Sequence, residues 1–120
     1  MSLIASALAV GGLLGCASGS IRGRVTMPGQ EPEPVTLRYE SSVFGATGKL
    51  STTLPNGERF SGTYVLVPDA PDHPMTSRLS GDRGTSMFCR FKLNEPGVGP
   101  DGGGTAQCQL STGGTIEAWF

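Results

Sequence analysis

Apolar and polar side chains alternate with period two along most of this chain. Ile21, Gly23, Val25 and Met27 alternate with Arg22, Arg24 and Thr26, and Val35, Leu37 and Tyr39 alternate with Thr36, Arg38 and Glu40. Phe44, Ala46, Gly48, Leu50, Thr52 and Leu54 share one side, with Thr47, Lys49, Ser51 and Thr53 on the other. The pattern resumes at Phe60, Tyr64 and Leu66, at Met87, Cys89, Phe91 and Leu93, at Ala106, Cys108 and Leu110, and at Ile116, Ala118 and Phe120. Successive strand side chains point to opposite faces, so each run predicts a strand with one apolar face. Seven strands result, and eight with a short piece at 76–80. Turn formers separate them: Pro28-Gly29, Asn56-Gly57, Gly81 to Gly84 and Gly113-Gly114. One apolar and one polar face is the antiparallel pattern. The expected fold is therefore all-β, a small antiparallel barrel or a two-layer sandwich of seven to eight strands.

Register follows from the same parity, because a slip of one residue turns every side chain to the wrong face. A loop at 112–114 pairs Leu110 with Ile116 and Cys108 with Ala118. A loop with Gly57 near its tip pairs Leu54 with Phe60 and Leu50 with Tyr64. Cys89 and Cys108 fall on the inward face of adjacent strands, where direct pairing brings them to bonding distance. The alternative is two buried free thiols. Redox chemistry has no support, since the chain has no Cys-x-x-Cys spacing.

Residues 1–15, MSLIASALAVGGLLG, carry no charged side chain. They are too few for a membrane-spanning helix, which takes about 20 apolar residues, and have the length of a signal-peptide core. Leu13-Leu14-Gly15 followed by Cys16 resembles the lipobox of bacterial lipoproteins. The resemblance implies that the Cys16 thiol is acylated, that the segment before it is removed, and that Cys16 tethers the chain to a membrane. Ala17 and Ser18 follow with no Asp, which by analogy favours the outer membrane, facing the periplasm. The expected organisation is a signal peptide at 1–15, a lipid-anchored linker at 16–20 and a single β domain at 21–120. The periplasm is oxidising, so disulfides persist there. With Cys16 acylated, an even pair of thiols remains. A Cys89–Cys108 disulfide with 18 residues between its ends contributes about 3 kcal/mol through loop-closure entropy.

Composition narrows the function. A chain of 120 residues holds one core. Its 19 Gly and 9 Pro, scattered between apolar runs, argue against long helices. A formal net charge of −1 gives no electrostatic case for nucleic acid. The one His, His73, lies near Asp69 and Asp72, but the three match no defined metal-ligand spacing. There is no Gly-x-Ser-x-Gly elbow, the acids are scattered singly rather than paired for glycoside chemistry, and no Lys-Ser/Thr follows the glycines at 102–104 to make a phosphate loop. The reading is a non-enzymatic protein, with no catalytic residue, metal or cofactor assigned. The tip from Asn94 to Gly104, NEPGVGPDGGG, is expected to lack regular structure and to serve as a binding loop or a flexible connection. The register sets Phe88 beside Gln109 and Glu117, and Arg90 beside Gln107 and Trp119. Phe88, Arg90, Gln107 and Trp119 then form one outward patch of the residue types that anchor interfaces. The alternative is that the N-terminal segment or a loop covers these rings. Arg22, Arg24 and Arg38 read as a solvated face.

The segments Leu54-Pro-Asn-Gly-Glu-Arg-Phe-Ser-Gly-Thr-Tyr64, Gly84-Thr-Ser-Met-Phe-Cys-Arg-Phe91, Gly102 to Cys108 and Gly114-Thr-Ile-Glu-Ala-Trp-Phe120 resemble small uncharacterised lipoproteins of Gram-negative bacteria. That family shares a Gly-Glu-x-Phe-x-Gly element, a Cys-x-Phe strand and a Gly-rich stretch before a second Cys. The resemblance covers residues 45–120 and implies the envelope location and the Cys pair, but no activity. The expected role is binding or structural, with an envelope protein as partner. A second class is an inhibitor of a cell-wall-active enzyme such as lysozyme. Ser61-Gly62-Thr63-Tyr64 comes near a Ser-Gly-x-x-Tyr loop, yet it reads as strand.

Overall fold

The computed structural model describes residues 18–42, 46–70 and 72–120. The signal peptide, Cys16 and Phe44 lie outside the described residues. Eight strands follow in order: β1 (Ser18–Thr26), β2 (Glu33–Ser41), β3 (Thr47–Thr53), β4 (Arg59–Leu66), β5 (Met75–Gly81), β6 (Ser86–Leu93), β7 (Gly104–Leu110) and β8 (Thr115–Trp119). Each pairs antiparallel with its sequence neighbour, and β8 pairs back onto β1, so the sheet closes into a barrel. Closure leaves no open sheet edge and decides between the two expected architectures. The inward positions form one core around Tyr64, Phe60, Phe91, Ile21 and Leu37. Among the described residues, no helix is long and apolar enough to cross a membrane.

The domain begins earlier than expected. Ser18, Gly19 and Ser20, read as linker, pair with Glu40, Tyr39 and Arg38 in β1. They carry no apolar alternation, so only the backbone ladder identifies them as strand. Ala46 also departs from its expected inward place and is exposed ahead of β3.

Two registers differ from expectation by two residues. Phe60 pairs with Thr52 and Tyr64 with Gly48, while Cys108 pairs with Ile116 and Ala118 with Ala106. A shift of two keeps every side chain on its face, so alternation alone cannot detect it. The turns set the register. At 55–57 and 111–113 the third loop residue is Gly57 or Gly113, with φ of 90° and 97°. Its N–H donates to Leu54 or Leu110, the residue before the loop, at 2.8 and 2.9 Å. That geometry is a three-residue hairpin with a left-handed glycine. The turn at 82–84 repeats it.

Candidate functional site

The two ends of the barrel differ in how they are closed. At one end three of the four connections are the three-residue turns. Glu58, only 4 % exposed, seals this end. Its Oε2 accepts the Arg83 N–H at 3.0 Å and the Thr85 N–H at 3.3 Å, which binds the β3–β4 turn to the β5–β6 turn. The Gly-Glu-x-Phe-x-Gly element thus has a structural meaning here. Gly57 makes the turn, Glu58 ties two turns together, and Phe60 enters the core. Gly62 is needed because a Cβ there would lie 2.0 Å from the Arg78 carbonyl oxygen.

The opposite end carries the longer connections at 42–46, 67–74 and 94–103, together with Ser18 at the start of β1. Tyr39 and Tyr64 lie across the glycines that face them, Gly19 and Gly48, where a Cβ would collide with either ring. The Tyr64 hydroxyl donates to Ser41 Oγ at 2.8 Å. The Tyr39 hydroxyl donates to Asp101 Oδ1 at 2.5 Å. Burial, reinforced by that hydrogen bond and by the Asp101 charge, pushes the Tyr39 hydroxyl pKa well above its ordinary value. Asp101 belongs to the 94–103 tip, which was expected to lack regular structure. It instead forms a 3-10 turn at Pro100–Gly102, buries Pro100, and folds back through Asn94 N–H to Gly103 O at 2.9 Å. Its residue-to-residue hydrogen bonds replace the long-range ladder that so many glycines cannot specify.

Cys89 and Cys108 pair directly across β6 and β7 and form a disulfide inside the core, with Cα atoms 4.0 Å apart. Ser77 and Ile116 flank them on β5 and β8. Among the described residues, no three His, Cys, Asp or Glu side chains converge as a metal site requires. Ser61, Gly62, Thr63 and Tyr64 lie within β4, with Tyr64 buried, so they do not form an exposed inhibitory loop.

The outward patch is rearranged by the two-residue shift. Arg90 stands beside Gln107 and Phe88 beside Gln109, as the register predicts. Gln107, however, faces Glu117, while Trp119 faces Thr105 and Arg22. Phe88 keeps its neighbour Arg90 but does not line the depression the other three share. It is half-buried beneath the Arg78 guanidinium at 4.6 Å, with that of Arg90 at 6.0 Å, a cation–π arrangement. Arg90, Gln107 and Trp119 instead line a depression of about 340 Å³ with His73, Lys92 and Glu117. Trp119 is 53 % exposed, so no other segment among the described residues covers its ring. The sequence reading missed Lys92 and Glu117. Parity places both on the outer face; Glu117 neighbours Trp119 along β8, and the β6–β7 and β7–β8 registers bring Lys92 into the same row through Thr105.

A larger groove of about 1100 Å³ lies over β2 to β5, on the other half of the barrel wall. Its strands present Ser51, Thr53, Ser61 and Ser80, with Arg38, Arg59 and Asp82. Its apolar lining comes from Pro34, Val35, Leu54, Pro55 and Phe60, of which Val35, Leu54 and Phe60 are buried core residues, so it presents no exposed aromatic side chain comparable to Trp119. The chain matches no family model, no curated protein and no solved structure.

Proposed function

We propose that this barrel is a non-enzymatic binding domain of the cell envelope, held at the outer membrane by lipid on Cys16 and facing the periplasm. The observation that carries the reading is the exposed Trp119, set on a strand rather than on a loop and lining one depression with Arg90, Lys92 and Gln107. Closed sheet fixes these side chains in place, and a rigid aromatic beside charged groups is what a binding site needs. The buried Cys89–Cys108 disulfide fits an oxidising compartment. The proposal also orients the domain. Cys16 lies two residues before Ser18, a reach of about 7 Å, so the end with the longer connections faces the membrane. Val65, Val67, Val98 and Trp119, the exposed large apolar residues, all lie toward that end.

A photo-crosslinking residue at position 105 of the full-length chain, facing an intact Trp119, tests this reading in the native envelope. It should give an adduct that the same residue at position 61, on the opposite wall, does not. Equal adducts at both positions, or none at 105, would reject the binding face.

A further inference from the structure

The charges of this chain nearly cancel, yet they are not evenly spread. The outer face made by β6, β7, β8 and β1 carries Arg22, Arg24, Arg90 and Lys92, against the single carboxylate of Glu117. The register orders them in two rows. Arg90, Gln107, Glu117 and Arg24 form one, and Lys92, Thr105, Trp119 and Arg22 the next. Trp119 is therefore flanked by a cation two strands away on one side and directly beside it on the other. Three features coincide: an exposed indole face, an amide beside a carboxylate, and basic groups at both margins.

We propose that this depression binds an anionic oligosaccharide, a chain of hexoses bearing carboxylate or phosphate groups. The inference rests on the binding reading above and names its ligand class. The C–H face of a sugar ring packs on an aromatic plane, which Trp119 presents. Sugar hydroxyls need donors and acceptors side by side, which Gln107 and Glu117 supply. A guanidinium or ammonium pairs with a carboxylate or phosphate, and Arg90 and Lys92 border the same depression. The concave volume of about 340 Å³ matches a small ligand rather than a flat protein interface. An acidic protein surface would meet only one aromatic anchor here. A neutral glycan would make no use of the Lys92 ammonium at the edge of the depression.

Trp119 is the only Trp in the chain, so emission excited beyond the absorption of Tyr39 and Tyr64 reports on this site. The full-length chain, in a zwitterionic detergent free of sugar, is titrated with trigalacturonate, with a phosphorylated trisaccharide and with neutral maltotriose. A saturable emission change is expected with one or both anionic probes and not with maltotriose. The two anionic arms separate carboxylate from phosphate as the recognised group. Arg90→Ala and Lys92→Ala should each weaken binding about tenfold, the loss of one charge-assisted contact. Ser61→Ala, on the far wall, should change nothing. Gln107→Ala should weaken binding with little change in its salt dependence. The proposal is overturned if neither anionic glycan binds better than maltotriose, if Arg90→Ala and Lys92→Ala bind as the native chain does, or if anionic phospholipid vesicles or single-stranded DNA give the stronger response. A specific crosslink at position 105 with no glycan response would leave the binding face standing and remove the glycan.

Discussion

The two ends of this barrel solve one problem, closing an apolar interior, by different means. At the short-turn end the solution is local and repeated. Three loops of three residues each end in a left-handed glycine, and one buried carboxylate ties two of them together. At the other end closure depends on partners far apart in sequence. Two tyrosine rings lie over facing glycines, and Asp101 reaches Tyr39 from 62 residues away. The first end is set by turn chemistry, which acts over a few residues. The second adds to two hairpin contacts, Gly19 with Tyr39 and Gly48 with Tyr64, the Asp101–Tyr39 bond, which exists only once distant strands have come together. The end that is more loosely prescribed is the one that carries the exposed apolar residues and leads to the candidate site.

Perturbations of each region should separate these devices. The largest expected effect belongs to neither end. Reduction of Cys89–Cys108, or its replacement by paired Ala, should lower stability by about 3 kcal/mol, measured by urea unfolding with and without reductant. Unchanged unfolding midpoints would show that the bond does not restrict the unfolded chain and would remove the loop-closure explanation. At the short-turn end, Glu58→Ala removes the acceptor shared by the Arg83 and Thr85 N–H groups. It should cost about 2 kcal/mol, because hydrogen bonds to a charged group are lost from a buried position. Glu58→Gln keeps an acceptor and should recover much of that loss. Equal behaviour of the two variants would remove the hydrogen-bond explanation.

At the other end, Tyr39→Phe should cost only about 1 kcal/mol at neutral pH, since a single hydroxyl contact is lost. Its signature is the pH dependence. The folded state holds the phenol proton more tightly than the unfolded chain does. The contribution is therefore complete below the unfolded tyrosine pKa of about 10 and is lost as pH rises beyond it, at up to about 1.4 kcal/mol per pH unit for that one proton. Urea midpoints of the native chain and of Tyr39→Phe should converge between pH 10 and the alkaline limit of the fold, where the unfolded Tyr39 phenol has ionised. Parallel curves would show that Tyr39 is not held as described.

The strands and the Cys89–Cys108 pairing were legible because alternation reports which face a residue occupies. Register was not, because a two-residue shift preserves the faces. The residue that decides it is the left-handed glycine of each turn, and treating Gly57 only as near a tip places Phe60 and Tyr64 opposite the wrong partners. The same shift sets Trp119 opposite Thr105 instead of Gln107, barrel closure sets it beside Arg22, and together they change the membership of the candidate site. Glu58 was not legible at all. A carboxylate between a turn and an apolar run reads as surface, and its burial depends on N–H groups from a second turn 25 to 27 residues onward. The 94–103 tip was obscured for the reason that makes it unusual: its order comes from its own hydrogen bonds and from Tyr39, not from any periodic pattern.

Three sulfurs, those of Cys16, Cys89 and Cys108, distinguish a lipid-anchored envelope domain from any other state of this chain. Intact-mass measurement of the protein extracted from its own membranes under non-reducing conditions reads all three at once. The predicted mass is that of a chain beginning at Cys16 and carrying acyl groups, with no thiol available to an alkylating agent until reductant is added. A chain that retains residues 1–15, or one that is alkylated at Cys89 and Cys108 without reduction, would contradict it.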